Sequence, residues 1–315
     1  MDRLYALAEL SFLHAERTPD TLGPLFNVRP GAAPPNIVFI IVEGLGRSFS
    51  GPGARLGSFT PFLDELAGRS LYFENFLAGQ GRTFGVLTTL FGSLPFGENG
   101  LAALGEKLPR HDSLLSVLKA QDYRLRFYSG SNLDFDNEGV YLRRQGVDTL
   151  VSERDFKPPY QRSNDWGYAD RDLMEMALQR EAAAPAGRHV SIIQTTSMHS
   201  PFTFPGKDAW LQRAGERMHT LKLPDSPVYQ NGREIFASIL YTDDALRMYF
   251  ERASRLPGYE NTIFVITGDH RLPELPMDTR IERYHVPLMP VVVVLAAAVI
   301  LRVFEALSPE GAAAP

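Results

Sequence analysis

The sequence predicts an α/β fold, a doubly wound and mostly parallel central sheet flanked by helices. Three observations point to it. Asn36–Val42 reads NIVFIIV, an unbroken run rich in β-branched residues. Such a run suits a central strand buried on both faces. Four more strand candidates recur along the chain, at Ser70–Phe76, Arg124–Ser129, Val190–Thr195 and Thr262–Thr267. Segments with helical spacing lie between them, and strands alternating with helices argue for crossover units.

In chain order, Met1–Asp20 places Leu4, Ala6, Leu7, Leu10, Phe12 and Leu13 as an amphipathic helix would. It carries acids early and lacks an unbroken apolar stretch, so it is no signal peptide. Residues 19–35 are rich in Pro and Gly and read as a linker. Helices are expected at Pro61–Ala67, with Thr60 as N-cap and Pro61 at the first helical position, and at Ser113–Ala120, Asp170–Arg180 and Arg233–Arg255. Val286–Leu301 reads VPLMPVVVVLAAAVIL. It falls short of the roughly 20 residues that span a bilayer, and Pro287 and Pro290 interrupt it. A buried strand and its continuation is expected there, with a membrane-inserted tail as the alternative. The resulting division is an N-terminal helix and linker at 1–33, a catalytic domain at 34–290, and an apolar tail at 291–315 whose role the sequence leaves unassigned.

The net charge of -5 and the scattered Lys and Arg exclude the basic face of a nucleic-acid binder. The absence of cysteine excludes disulfides, thiolate ligands and a cysteine nucleophile.

Ligands of open α/β sheets sit beyond the carboxyl ends of the strands, so the residues that follow each strand carry the chemistry. Glu43 follows the first strand. Gly268, Asp269 and His270 follow Thr262–Thr267, and Ser197, Met198 and His199 follow Val190–Thr195. Two carboxylates and two histidines thus converge on one sheet edge, and such groups are divalent-cation ligands. The plainer readings are a capping carboxylate for Glu43, a turn residue for Asp269 and a structural histidine for His270. A carboxylate set against an apolar strand costs desolvation unless it is partnered, which favours the cation. Thr83 lies where the glycine-rich GQGRT gives way to a helical pattern. There it serves either as an N-cap or as a hydroxyl nucleophile beside a metal. His199 reads as a general acid, a phosphate donor, a second-metal ligand (with His285 as its partner) or a structural histidine. Trp166, in the polar loop SNDWGYAD, lines a pocket or anchors a surface cluster. Gly44-Leu45-Gly46 imitates a dinucleotide-binding loop, but Phe49 stands where the third glycine belongs.

Together these stretches resemble the sulfatase-like branch of the alkaline phosphatase superfamily, lipoteichoic acid synthases and related phosphoglycerol transferases above all. The matching segments are PPNIVFIIVEGLGRSFSG, TPFLDELAGRSLYFENFLAGQGRT, WGYADRDLM, TTSMHSPF and YTDDALRMYFERASRLPGYENTIFVITGDH, in the family's order across roughly residues 34–290. The resemblance implies metal ligands at Glu43, Thr83, Asp269 and His270, with Thr83 also the nucleophile. It places His199 near the transferred phosphoryl group and Trp166 against the headgroup. It implies one divalent metal, Mn2+ or alternatively Zn2+. The activity it implies moves a phosphoglycerol-type headgroup from a phospholipid donor to a glycan or polyol-phosphate acceptor through a phospho-threonine. The setting it implies is the extracytoplasmic side of a bacterial cell envelope, at a membrane surface. The alternatives are a phosphoethanolamine transferase, a phosphodiesterase or sulfatase-type hydrolase, and a catalytically dead binding domain. Two departures stand out. Arg271 follows Asp-His where the family often has Gly, and it is expected to bind substrate, gripping a phosphate or steering a different headgroup. Tyr168 stands where some relatives place a basic residue.

Overall fold

The structure is a computed structural model and describes residues 33–94, 102–278 and 285–292. The N-terminal helix and linker at 1–33 and the apolar tail at 291–315 lie outside the described residues, apart from residue 33 and residues 291–292. The strands are β1 (Asn36–Val42), β2 (Phe73–Leu77), β3 (Arg124–Ser129), β4 (Thr149–Val151), β5 (Arg162–Asn164), β6 (Gly167–Tyr168), β7 (His189–Gln194), β8 (Thr262–Gly268) and β9 (His285–Val292). The helices are α1 (Pro61–Ala67), α2 (Val86–Gly92), α3 (Leu114–Ala120), α4 (Glu138–Arg144), α5 (Asp170–Ala183), α6 (Lys207–Thr220), α7 (Pro227–Asn231) and α8 (Arg233–Ala253).

Seven strands form one sheet in the order β2-β9-β8-β1-β7-β3-β4. β8, β1, β7, β3 and β4 run parallel, while β9 is antiparallel to both β8 and β2. β5 and β6 pair as a separate hairpin. The unbroken apolar character of β1 follows from its central position. Val38, Ile40 and Val42 face one core, shared with Leu63 of α1, Leu173 of α5 and Phe236 of α8. Ile37, Phe39 and Ile41 face the other, shared with Leu87 of α2, Leu115 of α3 and Leu142 of α4. Each residue of the alternating strand therefore has a helix layer to meet. Burying a side chain such as Ile40 contributes roughly 1.5–3 kcal/mol, and its truncation to alanine is expected to cost about 2–5 kcal/mol.

Two expectations change at the start of the chain. Thr60 does precede α1 and Pro61 does open it, but Thr60 makes no side-chain cap bond. Its hydroxyl donates to Ser50 Oγ instead. The cap comes from across the fold, where the buried carboxylate of Asp243 on α8 accepts from Phe62 N at 2.8 Å and Leu63 N at 3.0 Å. The strand expected at Ser70–Phe76 begins only at Phe73. The N–H groups of Gly68, Arg69 and Ser70 bond back to Asp64, Leu66 and Ala67, which consumes those residues in the helix exit.

Candidate active site

Sheet register builds the centre of the site. Val42 of β1 pairs with Gly268 of β8, so the next residues of two neighbouring parallel strands are Glu43 and Asp269. Gly268 permits this closeness, since a Cβ there would lie 2.2 Å from Leu45 O. Gly44, at φ +65°, turns the chain away from Glu43. Its N–H donates to Asp269 Oδ1 at 2.8 Å, and His270 N donates to the same oxygen at 2.7 Å. On the other flank, Thr195, just past β7, accepts from Glu43 N on its hydroxyl at 3.0 Å. Both carboxylates are thereby held at the carboxyl edge.

Glu43, Asp269 and His270 are all buried, and they offer ligand atoms that lie within 4.8 Å of one another. His270 Nε2 is 3.3 Å from Glu43 Oε1 and 3.5 Å from Asp269 Oδ2. His270 Nδ1 is 2.8 Å from Arg271 O. A carbonyl only accepts, so Nδ1 carries a proton, and Nε2 is the ring nitrogen that faces the carboxylates. Asp269 Oδ2 is buried without a hydrogen-bond partner among the described residues. Thr83 Oγ1 donates to Glu43 Oε2 at 3.0 Å and lies 3.3 Å from His270 Nε2.

The electrostatics show what this cluster lacks. Burial pushes Asp269 up, helped by the neighbouring Glu43 carboxylate, to about 7. Burial opposes charge on His270, but Asp269 and Glu43 outweigh it and raise the ring to about 10. Burial opposes charge on Glu43 too, and its hydrogen bond to His270 and the charge of that ring hold it below the ordinary glutamate range. Protons thus substitute for positive charge among two carboxylates. A divalent cation fits the donor set, with hard oxygens, one imidazole nitrogen and an orphaned carboxylate oxygen awaiting a partner.

Thr83 is not a helix cap. α2 begins at Val86 behind the N-cap Gly85, at φ +71°, and Thr83 points its hydroxyl into the cluster. Asp136 accepts from Gly85 N and so ties down the loop that carries Thr83. The cluster opens into a cavity of about 540 Å³, lined among others by Glu43, Arg82, Thr83, Ser131, Asn132, Gln194, Thr196 and His270. Its aromatic wall runs from Phe84 through Phe135 and Trp166 to His199. Successive ring centroids lie 4.6, 6.3 and 4.2 Å apart. Trp166 Nε1 donates to Ser200 O at 2.8 Å, and His199 Nδ1 donates to the same carbonyl at 2.8 Å. One backbone oxygen therefore orients both side chains.

The structure brings five of the seven sequence-predicted site residues, Glu43, Thr83, Trp166, His199 and His270, to the wall of this cavity, and groups the sixth, Asp269, with Glu43 and His270. Arg271 is the correction. It is fully buried and absent from the cavity wall. Its Nε donates to Ser48 Oγ at 2.9 Å and its Nη2 to Pro276 O at 2.6 Å, which holds the guanidinium beneath the 43–48 loop. His285 is a second correction. Its Nε2 bonds the Glu74 carbonyl at the sheet edge, so it forms no site with His199. Sequence reasoning missed the supports. Asp170 is fully buried and accepts from Thr196 N, Ser197 N and the Thr242 hydroxyl at 2.9, 3.0 and 2.6 Å, fixing the 195–199 loop. Its only signal was an acid at the start of a helix, where acids are common.

A family model described as Sulfatase matches residues 35–289. The chain belongs to this family. Within it the chain sits in the sulfatase-like branch of the alkaline phosphatase superfamily and resembles lipoteichoic acid synthases. It is 23% identical over 241 residues to the lipoteichoic acid synthase-like YvgJ of Bacillus subtilis, matching 75% of this chain and 36% of the relative. To the lipoteichoic acid synthase of Staphylococcus aureus it is 25% identical over 221 residues, 67% of this chain and 32% of the relative. The chain thus spans about a third of the length of these relatives. Among solved structures, an alkaline phosphatase superfamily protein from Vibrio parahaemolyticus superposes at TM-score 0.65 with 25% identity. The match covers 87% of this chain and 65% of the other. The lipoteichoic acid synthase LtaP of Listeria monocytogenes gives 0.66 at 15% identity, covering 85% and 69%. The zinc complex of the periplasmic domain of Escherichia coli EptC gives 0.59 at 16%, covering 85% and 75%, and shares the fold.

Proposed function

We propose that this sulfatase-family domain is a metal-dependent phosphotransferase that moves a phosphoglycerol-type headgroup from a phospholipid to an acceptor hydroxyl, with Thr83 as nucleophile. The observation that carries the reading is the Thr83 hydroxyl, which sits within hydrogen-bond reach of Glu43 and His270 at the mouth of a buried carboxylate–imidazole cluster. Glu43, Asp269 and His270, with Thr83 Oγ1, would hold Mn2+ or alternatively Zn2+; three oxygens and one nitrogen suit manganese. A cation bound there supplies positive charge to the developing alkoxide and to the non-bridging phosphate oxygens.

The chain's own residues do the rest. Thr83 Oγ1 releases its proton along its hydrogen bond to Glu43 and attacks phosphorus in line. The Thr83 O–P bond forms, the P–O bond to the lipid alcohol breaks, and His199 gives that oxygen a proton. The acceptor hydroxyl then gives its proton to His199 and attacks phosphorus, the Thr83 O–P bond breaks, and Thr83 Oγ1 takes its proton back from Glu43. Trp166 holds the headgroup against the aromatic wall. A sulfatase reading lacks its nucleophile, since the chain has no cysteine and Thr83 is followed by Phe84-Gly85 rather than an x-P-x-R pattern. The donor is taken to be a phospholipid and the acceptor a glycan or polyol phosphate, in keeping with relatives named lipoteichoic acid synthases, and the extracytoplasmic setting is in keeping with a neighbour named as a periplasmic domain. No helix among the described residues is long and apolar enough to cross a membrane.

The test is incubation of metal-loaded protein with labelled phosphatidylglycerol or phosphatidylethanolamine, with and without an acceptor glycan. Transfer from phosphatidylglycerol that needs the acceptor supports the reading. Transfer from phosphatidylethanolamine alone favours the alternative headgroup, and release to water regardless of acceptor favours a hydrolase.

A further inference from the structure

Behind the β7 wall of the cavity sits a buried acid with no part in the chemistry above. Glu138 opens α4 and is 3% exposed. Its Oε1 accepts from Gln194 Nε2 at 2.9 Å. Its Oε2 has no hydrogen-bond partner among the described residues, and neither has Gln194 Oε1. Gln194 ends β7 and lines the cavity together with Thr196, while Thr195 between them bonds Glu43 N. That alternation is what a strand exit imposes. The two side chains joined by that bond each keep one buried oxygen without a donor among the described residues, and one proton on Glu138 can satisfy both. A carboxylic acid at Glu138 donates from Oε2 to Gln194 Oε1 while it accepts from Gln194 Nε2. An ionised Glu138 leaves both oxygens orphaned in a buried place, which is costly.

We propose that Gln194 is a substrate-binding residue whose remaining Nε2–H donates to an oxygen of the transferred headgroup, and that Glu138, held as the neutral acid, is the residue that positions its amide. Burial pushes Glu138 up to about 8, and the nearby acids Asp136 in the 135–137 turn, Asp269 after β8 and Glu43 after β1 push the same way. The pairing makes Gln194 a donor toward the cavity, matched to a phosphate or hydroxyl oxygen. The inference rests on the phosphotransfer reading above.

The test compares wild type with Gln194→Ala, Glu138→Gln and Glu138→Leu, all loaded with metal. Gln194→Ala is expected to lower kcat/KM by about tenfold or more, with bound metal unchanged. Glu138→Leu is expected to lose about as much, because the amide is freed to turn. Glu138→Gln keeps the acceptor, supplies a permanent donor, and restores most of that loss. Wild type loses kcat/KM as pH rises through about 8, and Glu138→Gln lacks that limb. Calorimetric binding of glycerol phosphate separates the two levels of claim. If wild type binds none, the phosphotransfer reading falls and this inference with it. If wild type binds and Gln194→Ala binds equally well, the inference alone is overturned. It is likewise overturned if Glu138→Gln loses as much as Glu138→Leu, or keeps the wild-type alkaline limb. Thermal melts of metal-free protein cover the case in which Glu138→Leu fails to fold. The neutral acid forgoes stability as pH rises from about 4.5 to about 8, so Glu138→Gln should gain on wild type across that window. A constant difference overturns the protonation claim.

Discussion

Removing a ligand from the cluster should stabilise the metal-free protein, and Asp269→Asn is the sharpest case. Asp269 is 2% exposed, and its Oδ2, 3.5 Å from His270 Nε2, has no hydrogen-bond partner among the described residues. Its pKa rises from the ordinary 3.8 to about 7. The folded state therefore holds this proton more tightly than the unfolded chain, and the penalty for ionising it accumulates as pH rises from about 4 to about 7. The rise from 3.8 to about 7 corresponds to roughly 4 kcal/mol as an upper bound at pH 8. Part of that is returned, because His270 loses an attraction that raises its own pKa. Asparagine keeps the Oδ1 acceptor for Gly44 N and His270 N, and removes the like charge beside the Glu43 carboxylate. A net gain of about 1–2 kcal/mol is expected, a few degrees in Tm for a chain of this size. The assay is thermal unfolding in chelator at pH 8, then with added Mn2+. Wild type should start lower and climb with metal, while Asp269→Asn should start higher and stay flat. A variant less stable than wild type in chelator, or one that climbs equally with metal, refutes the reasoning.

Three further expectations follow from the same geometry. Metal binding must displace the His270 proton and, below about 7, the Asp269 proton, so apparent affinity should rise by about tenfold or more per pH unit between 6 and 8, measured by titration calorimetry. Asp170→Ala strips three donors of their acceptor beneath the 195–199 loop and should cost about 3 kcal/mol or more in denaturant unfolding, with His199 mispositioned in whatever remains folded. Trp166→Ala should raise KM about tenfold without changing metal content, as read by steady-state kinetics and elemental analysis.

The parts of the fold legible in the sequence were those whose cause is local. NIVFIIV announced a strand covered on both sides, and β1, α1 and β3 fall on their expected residues. The parallel sheet then put Glu43 and Asp269 at adjacent strand ends, because a carboxyl edge collects whatever follows each strand. What was not legible depends on distant partners. Asp243 caps α1 from 180 residues away, and no local pattern reveals that. Arg271 looked like a phosphate ligand because it adjoins the Asp-His pair, but a register of one residue turned it into the interior. The close approach of Gly46, where a Cβ would meet Arg271 at 2.8 Å, is the trace of that packing in the sequence. Glu138 and Gln194 carried no signal at all, since an acid at a helix start and a polar residue at a strand end are both commonplace. Thr83 was ambiguous for the same reason. The choice between cap and nucleophile depends on where its hydroxyl points, and that is set by Gly85 and Asp136.

The central claim is that Thr83 carries the transferred group. Intact-mass analysis of metal-loaded protein, quenched during turnover of phosphatidylglycerol without acceptor, tests it most directly. A mass increase equal to one phosphoglycerol on the Thr83 peptide, lost in Thr83→Ala together with turnover, is the expected result. A Thr83→Ala protein that still turns over lipid, or an adduct on any other residue, contradicts the account.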